Sequence, residues 1–201
     1  MSAFLGPIHS WLFGKIKFQN ELVNKIEELA AAKGWIDESV KFDRYGTLEE
    51  GELADIIDES NIHGWLQERV SLVENKLAYV VTVLTDEHPD RIMDICDVAY
   101  EFGKENAFSG ETNAKAAYGH LENILLNGMP CDRVNEVISQ EKTQVSWRQV
   151  TDIPEQYWTM IHGNLDFYYT IRESVITGIL ENSGLEFICN EDKVYQIREI
   201  V

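Results

Sequence analysis

The sequence predicts a mainly α-helical fold: a bundle of about five to seven helices over residues 1–184, with a small C-terminal β-hairpin over residues 185–201 packed on it as part of one domain. Three observations lead there. Apolar residues recur at helical spacing along most of the chain, as in Leu12, Ile16, Val23, Ile26 and Ala30. The pattern Ile8-His9-Ser10-Trp11-Leu12 is restated as Ile62-His63-Gly64-Trp65-Leu66, and Ile161-His162-Gly163-Asn164-Leu165 echoes it without the tryptophan. After Ser183-Gly184 the apolar period changes from helical to alternating.

The first helix is expected to begin at Pro7, a favoured first helical position, and to run to about Lys33, where Gly34 stops it. Gln19 falls in the middle of its apolar face and His9 at the edge. Thr47-Leu48-Glu49-Glu50 reads as a capping box for a short acidic helix through Leu53, Ile56 and Ile57. This long connection leaves room for a crossover before the second long helix, which Asn61 caps. His9 and His63 are 54 residues apart, a whole number of helical turns, so the two long helices present the same faces and read as one unit used twice. Pro89 opens a helix with Ile92, Ile95, Cys96, Ala99, Phe102 and Gly103 inward. Another follows from about Asn113 to Leu126, ended by Gly128-Met129-Pro130.

Asp132 is expected to cap a short polar helix through Val134, Val137 and Ile138, whereas Thr143–Thr151 is ambiguous, with β-favouring residues around Trp147. Asp152-Ile153-Pro154-Glu155 then launches a single long helix to about Asn182. Leu185–Cys189 and Lys193–Val201 flank Asn190-Glu191-Asp192 as a hairpin. Two strands alone are marginal, so they need the helices, or a third strand from the Trp35–Tyr45 or Trp147 regions.

Composition narrows the function classes. The chain has 201 residues, 17 Lys and Arg against 35 Asp and Glu, and a formal net charge of −18. No basic cluster exists to hold a phosphate backbone or an anionic membrane surface, so neither nucleic acid nor a membrane is an expected partner. No leader is visible, and no apolar run approaches the ~20 residues of a membrane helix. Cys96, Cys131 and Cys189 are odd in number and dispersed, as reduced cytoplasmic thiols are. The expected location is the cytoplasm.

Two groups of polar residues stand out. His9, His63, His120 and His162 each sit on a predicted helix at the border between apolar stripe and solvent, as a shared site in a bundle would require. Asp166, one turn after His162, and Glu122 and Glu74 are the carboxylates best placed to join them around Fe or Zn. Against this, no HxxxH, ExxH or HExxH pair occurs, and boundary histidines often bond a carbonyl at a helix end. His88, in a turn before Pro89, is expected to face solvent. Arg172 is the second oddity, because it stands near the centre of an apolar stripe. It reads either as a clamp for a carboxylate or phosphate, in a cavity with Gln19, Tyr168 and Tyr169, or as an internal pair with Glu173, Asp97 or Glu74.

Cys131, just before an expected helix start, is a weak candidate nucleophile. Trp11 and Trp65 lie off the centres of their stripes and could cover a homodimer face. The leading expectation is a protein that binds a metal ion or small anionic ligand between helices; if it is an enzyme, hydrolysis or redox chemistry at the metal is the first reaction class. The alternative is an acidic structural or regulatory interaction protein, homodimeric and without cofactor.

Overall fold

Helices α4 (Ile92–Glu105) and α7 (Leu165–Ile179) form the tightest crossing in the molecule. A Cβ on Gly103 would strike the Val175 carbonyl oxygen and lie 3.0 Å from the Ile179 nitrogen. A Cβ on Gly178 would likewise strike the Tyr100 carbonyl oxygen. The two backbones therefore touch, side by side in the same direction, with a glycine on each side. Around this crossing the computed structural model, which describes residues 4–36, 42–190 and 193–200, arranges five further helices and a sheet. These are α1 (Pro7–Ala32), α2 (Leu53–Ile56), α3 (Ile62–Thr85), α5 (Ala114–Ile124), α6 (Ile153–Met160) and strands β1 (Asn135–Gln140), β2 (Gln144–Gln149), β3 (Leu185–Cys189) and β4 (Val194–Glu199). The architecture is mainly α, with a small antiparallel sheet near the C-terminus.

Local chemistry sets the helix ends. Pro7 occupies the first turn of α1, and Gly34, at φ +66°, lies just past its last turn. The side chains of Asn61, Asn113 and Asp152 each accept a backbone N–H at the start of α3, α5 and α6. Between Ile57 and Thr47 the capping-box reading shrinks to a single turn: α2 begins after Glu52, and Thr47–Gly51 lies outside it.

α1 and α3 run parallel. Phe13 packs on Trp65 near both N-termini, with ring centroids 5.8 Å apart, and further along Lys76 pairs with Glu27 at 3.2 Å and Asn24 at 3.3 Å. The residues between them make the crossover; the described part includes a turn at Phe42–Tyr45, and the rest of the Trp35–Tyr45 region, residues 37–41, lies outside the described residues. The N-terminal halves of α1 and α3 enclose one apolar cluster with α2, Leu126 and Met129. Their C-terminal halves join α4, α5, α7 and the sheet in a larger one.

Two expected elements are corrected. Residues 135–140 are a strand, not a polar helix, because β2 supplies a partner: Val137 faces Trp147 across the ladder, with a bulge at Ile138. The expected helix from Asp152 to Asn182 is two helices. His162 takes a left-handed φ of +57°, its N–H bonds the Thr159 carbonyl and that of Gly163 bonds Trp158, which closes α6 before Asn164 caps α7. The C-terminal strands do form an antiparallel pair, although Glu191 and Asp192 of the expected turn lie outside the described residues. The Trp147 region supplies their further partners, giving the order β1-β2-β4-β3.

Alanine at Gly103 or at Gly178 must push two backbones apart, and each variant is expected to lose about 3 kcal/mol in urea denaturation. Alanine at Gly14, an exposed α1 position where a Cβ meets nothing within 4 Å, is expected to gain about 0.5–1 kcal/mol. Equal effects at the two kinds of site would contradict the crossing.

Candidate functional site

The inner face of the sheet carries an aromatic wall. Trp147 on β2 and Tyr195 on β4 are direct cross-strand partners, stacked with centroids 5.7 Å apart, and Phe187 on β3 stacks on Tyr195 at 5.8 Å. Tyr118 of α5 closes on Trp147 at 4.8 Å. Between this wall and helices α5 and α7 lies a cleft, lined also by Glu122, Asn135, Gln149, Tyr169 and Arg172.

Arg172 is the pivot. It also lines two smaller cavities, one with Gln19 and Tyr168 and one with Glu74 and Tyr168. Its guanidinium donates to the Leu126 carbonyl at 3.2 Å, to Asn127 Oδ1 at 2.6 Å and to the Tyr168 hydroxyl at 3.4 Å. Every one of these acceptors is neutral. Among the described residues no carboxylate comes within 4.0 Å of it, so the internal ion pair with Glu173, Asp97 or Glu74 is not formed. Two of its five N–H groups, Nε–H and one on Nη2, have no acceptor among the described residues.

Charged groups surround the guanidinium at longer range. Glu74 on α3 is only 1% exposed, and burial pushes its carboxyl up to about 7, against the pull of Gln19 and Arg172. Gln19, 6% exposed, is its nearest donor, but neither Gln19 Nε2 nor Glu74 Oε2 closes a hydrogen bond. Glu122 on α5 is well served: Asn127 and Asn135 donate to its Oε1 at 3.4 and 3.1 Å. Burial, and then the Glu122 charge, push the Tyr118 hydroxyl well above its ordinary range. Tyr169 accepts from Gln149 at 3.0 Å and from Lys193 at 3.2 Å, and burial likewise raises its hydroxyl.

Gln19, Tyr168, Tyr169 and Arg172 therefore all line cavities that meet at the guanidinium, Gln19 and Tyr168 on one side and Tyr169 on the other. The histidines fare differently. His9 Nδ1 accepts the Gly6 N–H at 2.9 Å, and His120 Nε2 bonds the Asn106 carbonyl at 3.1 Å. His63 and His162 are exposed, as is His88. The break at His162 also removes the shared helical face that was to join it to Asp166, whose own N–H is capped by Asn164. Among the described residues no three His, Cys, Asp or Glu side chains are grouped to hold a metal ion, so these four histidines and Asp166 make no common Fe or Zn site. Cys131 is exposed in a single turn at Pro130–Asp132, and its thiol lies 4.0 Å from the Asp132 carboxylate, its one polar contact among the described residues. Trp65 is buried, and Trp11 donates to Asn123 at 3.1 Å, so both are engaged within the chain.

The aromatic wall and buried Lys15 escaped the sequence reading. The wall's signal was present in the alternation around Trp147 and Tyr195, but alternation does not say which strands become neighbours. Compared with protein-family models, curated proteins and solved structures, the chain has no match.

Glu74 supplies a pH test. Unfolded, it titrates near 4.5, and folded near 7, so the folded state holds the extra proton between those values. Stability thus falls as pH rises through that window, and the cost is fully present above 7. Glu74→Gln is expected to raise unfolding free energy by about 3 kcal/mol above pH 7 and to change it little below pH 4.5. A gain independent of pH would show that Glu74 is not the titrating group.

Proposed function

We propose that the protein binds a small planar anion, of the aromatic carboxylate class, in the cleft between the sheet and helices α5 and α7. The observation that carries this reading is Arg172: a half-buried guanidinium that faces cavities, is held by neutral acceptors, and has N–H groups to spare. A charge withdrawn from water without a contacting counter-charge is costly, and a ligand carboxylate removes that cost through a paired, charge-assisted contact. Arginine suits this better than lysine because its donors form a planar fork.

The walls favour the planar part of the ligand. Trp147, Tyr195, Phe187 and Tyr118 offer ring faces and edges, while Asn135, Gln149 and the Tyr169 hydroxyl offer a few directed polar contacts. An apolar concavity with sparse, fixed polar groups is the usual make-up of a small-molecule site. The chain's net charge of −18 repels an anion at distance, so recognition rests on contact inside the cleft, not on steering.

Calorimetric titration with benzoate, indole-3-acetate and their neutral amides tests this reading. The carboxylates are expected to bind at least about tenfold more tightly than the amides, a margin of about 1.4 kcal/mol, and Arg172→Gln is expected to abolish the difference. Equal affinity for acid and amide in the unaltered protein would sink the proposal.

A further inference from the structure

A second cavity, of about 140 Å³, adjoins the cleft at Glu122 and Asn135. Helix α1 walls it with Trp11 and Lys15, and the loop before β1 walls it with Asn127, Met129 and Arg133. Lys15 is unusual for a lysine. It is 3% exposed, lies on the apolar side of α1 with Leu12 and Ile16, and forms neither a hydrogen bond nor an ion pair among the described residues. The close contact of its amine is the face of Trp11, 3.8 Å from the ring centroid. Most lysines that cross an apolar face send their amine out to water or to a carboxylate. This one ends at a cavity.

Two further features fit a reacting group. Glu122, a carboxylate that acts on Lys15 through space, lines the same cavity. Arg133, also on the lining, is held in the left-handed region at φ +49°, a conformation that costs free energy for a residue with a side chain. Its side chain and that of Asn127 line the cavity together with the amine.

We propose that Lys15 is a covalent attachment site for a small 2-oxo acid, which it holds as an imine. A water in the cavity relays a proton from the Lys15 ammonium to Glu122, which the amine does not touch, and the freed lone pair attacks the ligand's carbonyl carbon. The carbonyl π electrons move to oxygen, which is protonated by the attacking nitrogen to give the carbinolamine. Glu122 then returns its proton to that hydroxyl, water leaves, and the nitrogen lone pair forms the C=N bond. One ammonium and one carbonyl become one protonated imine and one water, with no oxidant or reductant. The ligand's carboxylate pairs with Arg133.

The surroundings of Lys15 assist. Burial, and the charge of Arg172, lower its affinity for a proton to about 8 while Glu122 opposes them, so a larger share of the amine is free near neutral pH than for a lysine in water. This reaction does not depend on the aromatic anion of the cleft, because it uses the other side of Glu122.

The test is borohydride trapping on the intact chain, with glyoxylate as the 2-oxo acid and propanal as a neutral carbonyl, read by peptide mass spectrometry. Lys17, Lys115 and Lys142 are exposed and serve as internal references within the same molecule. At limiting glyoxylate, Lys15 is expected to carry at least about ten times the reduced adduct of any reference lysine. Glu122→Gln is expected to slow labelling at Lys15 several-fold while leaving Lys17 unchanged, a comparison that each sample makes against itself. Adduct at Lys15 no greater than at the references overturns the proposal, and so does equal selectivity for Lys15 with propanal, which would leave no role for a carboxylate partner.

Discussion

Backbone contact between α4 and α7 is the constraint on which the rest of the structure depends. It works because neither Gly103 nor Gly178 carries a Cβ, so the helices approach until peptide groups meet. Everything α7 displays follows from that distance. Val175, Ile176 and Ile179 enter the main apolar cluster, and, one or two turns earlier on the same helix, Tyr168 and Arg172 are brought among α1, α3 and α5. A wider crossing would draw Arg172 away from the Leu126 carbonyl and Asn127 that orient it.

The molecule spends stability on the polar groups so placed. Four helices bring a charged side chain to the lining of these cavities: Lys15 from α1, Glu74 from α3, Glu122 from α5 and Arg172 from α7. Two are positive and two negative, yet no opposite pair of the four closes to ion-pair distance among the described residues. Glu74 and Lys15 register the consequence as displaced titrations in opposite directions, both caused first by loss of water. Groups arranged only to stabilise the fold would be paired or replaced by hydrocarbon, which is commonly at least as stable. Preorganised charges facing cavities are instead what recognition of a polar ligand requires.

What the sequence discloses about this arrangement follows from the range of the interactions involved. Helix ends set by residues within one turn, such as Pro7, Asn61, Asn113 and Asp152, were legible because capping is local. Arg172 and Gln19 were legible as polar residues on apolar stripes, a conflict visible without coordinates. The strand at Asn135–Gln140 was not, since Val134, Val137 and Ile138 also satisfy a helical spacing and only β2 decides between them. The end of α6 was signalled by Gly163-Asn164 but masked by the apolar residues on either side, which keep helical spacing across the break. Convergence of the histidines was beyond reach for a different reason. α1 and α3 do run parallel, which puts His9 and His63 at the same end, but His9 turns back to cap its own helix and His63 faces solvent.

The strand order carries a consequence for how the molecule comes into being. β4, the last of the described strands, lies inside the sheet between β2 and β3, and its Tyr195 pairs with Trp147 of β2, 48 positions earlier (195 − 147). As the chain leaves the ribosome, α1, α3 and α4 have their apolar partners available early, whereas β2 waits with an unpaired edge until β4 emerges. The cleft, whose walls come from α5, α7 and all four strands, thus stays open until β4 emerges. A nascent chain stalled before Val194 holds Trp147 against no ring from β4, and its hydrogen-bonding edge stands open to a neighbouring chain.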